Sequence, residues 1–202
     1  MICRSGKKPG WAAWISLTLV LAGCTTPSLD MSDDRIEPPG PDAGVVIGSV
    51  LVQADQEPPQ AWYNKLFGRK AGGFTYEFEI VHIGINEPII GTAPYTKRYE
   101  LEVKPGKERF FVARLPSGNY LFKAFHHEGF STMGGDLRLL FSVAPDATQY
   151  VGRLLLEFPR RVTLGTSFTY KIEDGREAAL AVLRQRHPDL AADVVDTPMQ
   201  SQ

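Results

Sequence analysis

Apolar and polar residues alternate with a period of two through much of the chain beyond residue 44. Phe74–Ile83 places Phe74, Tyr76, Phe78 and Ile80 on one side and Thr75, Glu77 and Glu79 on the other. Successive side chains of a strand point to opposite faces, so this pattern predicts a strand with one buried and one wet face. Arg98–Lys104 repeats it, with Tyr99, Leu101 and Val103 opposite Arg98, Glu100 and Glu102, before a Pro105-Gly106 turn. Val45–Gln53, Arg109–Leu115, Asn119–His127, Leu137–Val143, Gln149–Phe158 and Arg161–Ile172 are further strand segments, with turns at Pro116-Ser117-Gly118 and Pro145-Asp146. Short strands at near-regular spacing predict an all-β antiparallel sandwich.

One segment changes to helical spacing. Asp174 and Glu177 have capping-box spacing, and Ala178, Ala179, Val182 and Leu183 form an apolar stripe that Pro188 ends. This helix is expected at one end or edge of the sandwich. Residues 191–202 have no core pattern and are expected to form a disordered tail.

The segment before residue 44 has a different grammar. Arg4, Lys7 and Lys8 precede an apolar run from Trp11 to Ala22, and small residues then lead to Cys24. A charged start, a short apolar stretch and a small-residue cut site define a secretory signal. The run of 12 residues would span only about 18 Å as a helix, against about 30 Å of hydrocarbon in a bilayer. Residues 25–43 (TTPSLDMSDDRIEPPGPDA) are rich in proline and acids. They have little to bury, which predicts a spacer of roughly 25 Å. The organisation expected is a cleaved signal peptide over 1–23 and a modified, flexible linker over 24–43. A sandwich domain with its helix follows over 44–190, and the tail over 191–202.

The block Leu21-Ala22-Gly23-Cys24 resembles the bacterial lipobox. The resemblance implies cleavage between Gly23 and Cys24, diacylglycerol on the Cys24 thiol and acylation of the new amino terminus. Two or more acyl chains give stable anchoring where one does not. Thr25 follows, where aspartate favours inner-membrane retention, so the resemblance implies an outer-membrane address facing the periplasm. Leu115-Pro116-Ser117-Gly118-Asn119-Tyr120 resembles the L-P-x-G-x-Y turn of transthyretin-like and carboxypeptidase-regulatory-like sandwiches. Val143–Gly152 (VAPDATQYVG) resembles a segment of uncharacterised bacterial lipoproteins with that fold, with Pro145-Asp146 where the pattern has Pro-Gly. These likenesses imply an Ig/transthyretin-like sandwich and bring no activity with them.

Charge and cysteine content narrow the picture. The formal charge of −1 becomes −4 once Arg4, Lys7 and Lys8 leave with the signal, and no basic patch points to nucleic acid. Of two cysteines, Cys3 lies in the leader, so Cys24 is the mature chain's single thiol and no disulfide is expected.

Candidate chemistry is sparse. G-x-S-x-G, H-E-x-x-H, P-loop and G-x-G-x-x-G motifs are lacking, so no catalytic residue and no cofactor are assigned. His126 and His127 are strand neighbours and should face opposite ways. A metal site would need His126, Glu128 and a third ligand such as His82 or Asp136, and the bland reading of a strand end is preferred, with no metal assigned. His82 reads as a core-edge residue, and His187 sits where a helix C-terminus favours a cation. Glu77, Glu79, Glu100 and Glu102 read as a solvated sheet face. Trp62, Tyr63, Leu66 and Phe67 lie in a long 54–73 connection, and Phe130 in the glycine-rich 129–136 loop. Trp62, Tyr63, Phe67 and Phe130 are the candidate partner contacts. The function expected is a membrane-anchored, non-catalytic structural or protein-interaction module of the cell envelope. Its partners would be the membrane, through Cys24, and an envelope protein or peptidoglycan. A small-ligand or glycan-binding lipoprotein is the second reading, and a metal-dependent enzyme the third.

Overall fold

The computed structural model describes residue 29 and residues 36–54, 75–83, 97–127, 133–158 and 167–202. Strand β1 (Ala43–Ala54) reads AGVVIGSVLVQA, apolar on both faces. Val46, Val50 and Val52 face the space between two sheets, while Val45 and Ile47 face the other way. A strand covered on both sides reads as a continuous apolar run instead of an alternating one.

Strands β2 (Tyr76–Ile83), β3 (Lys97–Val103), β4 (Arg109–Pro116), β5 (Gly118–His127), β6 (Met133–Val143), β7 (Thr148–Phe158) and β8 (Thr169–Glu173) follow in chain order. One sheet runs β4-β1-β7-β8 and the other β6-β5-β2-β3. They form an all-β sandwich, as the alternation predicts, with one α-helix, near the C-terminus, among the described residues. Its core is aromatic: Phe78, Phe111, Tyr120, Phe122 and Phe125 are all essentially inaccessible to solvent. Most neighbours are antiparallel, but β1 and β7 run parallel. A parallel pair needs a crossover instead of a hairpin, so the choice lies in the long-range connection and not in either strand's own pattern.

Two glycines are set by close approach. Gly152 sits at φ +103° in a bulge where β7 gains one residue on β1, between the pairs Ile47–Tyr150 and Ser49–Arg153. The bulge lets Val151 and Leu154 both face the core. Gly135 belongs to β6 and not to a loop, and a Cβ there would overlap the Phe168 ring. Asp146 takes φ +53° at the turn before β7, the left-handed conformation usual for glycine and tolerated by Asp.

Helix α1 (Arg176–Arg186) lies on the outer face of the first sheet and not at an end or edge. Ala179, Leu180 and Leu183 pack on Val45, Ile47, Val112 and Tyr150. The placement depends on the second buried faces of β1 and β4, where Val45, Ile47 and Val112 meet the helix. Leu180 takes the place expected for Ala178, which is exposed. The N-cap is Gly175, and Asp174 accepts a 3.0 Å hydrogen bond from the Arg176 amide one step earlier than a capping box would. The helix stops before Pro188, as expected.

The expected disordered tail is instead built into the sandwich. After a 3-10 turn (Pro188–Leu190), β9 (Val194–Asp196) pairs parallel with β7, and β10 (Gln200–Ser201) pairs with β6 of the other sheet. Between them Met199 is buried in the core. The segment has few apolar residues, but one methionine and a row of backbone hydrogen bonds suffice. The Thr197 and Met199 amides donate to the Tyr150 and Val151 carbonyls. The flexible linker expected over 24–43 is also partly docked. The Leu29 side chain is 3% exposed, within the core cluster, and Ile36 packs beneath α1. Arg114 bonds the Pro38 carbonyl and pairs with Glu37.

Candidate functional site

The residues that carry the sequence-based assignment lie outside the described residues. They are Gly23 and Cys24, and the contact candidates Trp62, Tyr63, Phe67 and Phe130. Glu128 lies outside them as well. The described residues bring together a different group, on the outer face of the β6-β5-β2-β3 sheet.

Its centre is Glu79 on β2, whose side chain is only 10% exposed. Arg98 on β3 sits opposite Val81, two residues along the register from Glu79's partner Glu100 and on the same face, and its Nε lies 2.9 Å from the carboxylate. Lys123 comes from a bulge in β5, the extra residue between the pairs Glu79–Ala124 and Ile80–Phe122. The bulge allows Phe122 and Phe125 both to face the core, which leaves Lys123 on the outer face with Nζ 3.3 Å from Glu79. His126 Nε2 stands 3.9 Å from the same carboxylate. Glu79 was expected on a solvated face, and burial corrects that. Alternation predicted its direction, but the flanking Arg98 and Lys123 stems cover it, and long cationic side chains do so readily. The only sequence signal was a lysine interrupting an otherwise apolar stretch of β5.

The four histidines separate. His126 is turned outward and 53% exposed, whereas His127 is buried, stacks on Tyr76 at 4.6 Å and has Nδ1 3.0 Å from the Thr75 carbonyl oxygen. His82 lies against the Tyr120 ring at 4.8 Å, on the inward side, as expected of a core-edge residue. His187 follows the last turn of α1. Asp136 pairs with Arg138 at 3.7 Å. Among the described residues no group of three His, Cys, Asp or Glu side chains has the geometry of a metal site.

A second polar cluster lies beside α1. The Ser49 hydroxyl, fully buried, donates to Glu108 at 2.7 Å, and Arg153 spans Glu108 and Glu173 at 3.1 and 3.3 Å. The Gly175 amide donates to the Tyr150 hydroxyl at 2.7 Å. The Ser49 hydroxyl places its proton on Glu108, a carboxylate that Arg153 also holds. The Glu79 group joins β2, β3 and β5, and the Arg153 group joins β1, β7 and β8. Burial pushes the hydroxyls of Tyr76, Tyr99, Tyr120 and Tyr150 above their ordinary value near 10, so each stays protonated around neutrality.

Comparison with protein-family models, curated proteins and solved structures finds no match to this chain.

Proposed function

We propose that this protein is a membrane-anchored envelope lipoprotein whose β-sandwich acts as a non-catalytic structural or protein-interaction module. The observation that carries the reading is the Leu21-Ala22-Gly23-Cys24 block at the close of a cationic and apolar leader. That arrangement supplies a thiol for diacylglycerol at the point where the signal is cut. Thr25 supports an outer-membrane address facing the periplasm. Among the described residues no helix is long and apolar enough to cross a membrane. The polar clusters around Glu79 and Glu108 have the character of stabilising networks, which fits a module that binds or scaffolds.

The test is metabolic labelling with a fatty-acid analogue, followed by membrane fractionation. The wild type should carry label and sediment with membranes. Cys24→Ser should lose the label and leave the membrane fraction. Equal membrane partition of the two forms would end the anchor reading.

A further inference from the structure

We propose that the β3 edge of the sandwich rests against the lipid surface, held there by a leash of only four residues between Cys24 and the docked Leu29. This rests on the anchoring of Cys24 proposed above. The leash length comes from an independent observation, the fixing of Leu29 to the domain.

Leu29 is pinned in two ways. Its amide donates a 2.8 Å hydrogen bond to the Glu100 carbonyl, in the middle of edge strand β3. Its side chain is buried in the main core cluster with Tyr99 and Leu101. Downstream, Ile36 is fixed again, in the cluster beneath α1. The stretch that composition marks as a spacer is therefore secured to the domain at both of these points.

Chain geometry then sets the height of the domain. The five Cα-to-Cα steps from Cys24 to Leu29 reach at most about 18 Å, however they run, whereas a free 19-residue tether would average roughly 25 Å and reach much further. A domain of about 150 residues has a radius of gyration of about 15 Å. A leash of this length cannot carry an anchor attached at β3 round to the helix on the opposite sheet. The β3 edge is thus the near side and α1 the far side.

The charges agree. Strand β3 and its turn expose Lys97, Lys104 and Lys107, beside Arg98 paired with Glu79, against Glu102 and the half-buried Glu100. The mature chain as a whole is acidic, so this edge is locally enriched in cations. Cations beside a lipid surface are drawn to anionic headgroups.

The experiment uses the lipidated protein in vesicles that contain an anionic lipid and a lipid with a headgroup-attached nitroxide quencher. With Cys24 acylated, an introduced cysteine is the free thiol for a fluorophore. Glu102→Cys labels exposed β3, and Arg184→Cys labels the exposed side of α1. Quenching should be severalfold stronger at position 102 than at 184. A Gly-Ser insert of about a dozen residues between Pro27 and Ser28 lengthens the leash and should bring the 102 signal down to the 184 level. The same insert between Ser32 and Asp33 lies beyond the pin and should leave quenching unchanged. Both inserts fall outside the described elements, and the circular dichroism and urea midpoint of each variant should match the wild type. Equal quenching at the two positions, or an equal loss from both inserts, would overturn the placement while leaving the anchor intact. Lipidated protein that stays in the aqueous phase would overturn the anchor reading, and the placement with it.

Discussion

The Tyr120 hydroxyl donates a 2.8 Å hydrogen bond to the Pro116 carbonyl, four residues upstream. The bond closes the Pro116-Ser117-Gly118 turn from inside the core, where the Tyr120 ring is wholly buried and stacks on Phe141 at 5.3 Å. Removing the hydroxyl leaves the carbonyl without that donor while keeping the ring. Tyr120→Phe should therefore lower stability by about 1 kcal/mol. Urea unfolding would register it as a lower midpoint with an unchanged slope, and an unchanged midpoint would show that the turn does not depend on this bond.

Glu79 should be worth more than a surface carboxylate. It is held by Arg98 and Lys123 in a largely covered position. The cations themselves remain partly in water, so the loss should fall between exposed and buried pairs. Glu79→Gln is expected to cost about 1–2 kcal/mol. A salt titration of the midpoint would separate this from a packing effect: the wild type should lose part of its advantage over the variant as ionic strength rises.

Met199 tests the C-terminal segment. The side chain is 4% exposed and sits where the chain crosses from the β7 edge to β6. Met199→Ala should destabilise the domain by about 2–3 kcal/mol, as large-to-small changes in cores do. Hydrogen exchange should show protection of the Thr197 and Met199 amides, which donate to Tyr150 and Val151. Free exchange at both would mean that the segment is not held.

The protein should be sensitive to alkali. Tyr76, Tyr99, Tyr120 and Tyr150 titrate above 10 in the folded chain because burial disfavours the phenolate, and near 10 when unfolded. Above pH 10 the unfolded chain therefore binds fewer protons than the folded one, and rising pH favours unfolding. Stability should be level with respect to these groups below about pH 9 and fall from about pH 10 upward. Chemical unfolding at pH 8, 9.5 and 11 would follow it, with absorbance near 295 nm reporting phenolate formation. Tyrosine ionisation near pH 10 without loss of the native signal would contradict the assignment.

The strands were the most legible part of the fold. A period of two follows from the pleat and can be read wherever no bulge interrupts the strand. Tyr76, Phe78 and Ile80 face the core as their alternation requires. The helix was legible from Ala179, Val182 and Leu183 and from Pro188, but its position was not. That position depends on the second buried face of β1, where Val45 and Ile47 meet Leu180 and Leu183. Leu29 and Met199 were illegible for the opposite reason. Each is a single apolar residue in a polar stretch, and no periodicity marks one docking point. The Glu79 group was hidden because its members lie on three strands, and because a bulge, not an alternation, places Lys123.

By itself the sequence determined the strand pattern, the helix, the breaks between them and the lipobox-like block that ends in Cys24. All are written in neighbouring residues, and local sterics and side-chain chemistry act at that range. Tertiary structure alone decided that β1 runs parallel to β7, that α1 covers the outer face, and that Glu79 is buried under two cations. It also decided that Leu29 and Met199 fasten the two ends of the described chain to the core. These are contacts between residues tens of positions apart, and only burial shared among several elements makes them favourable.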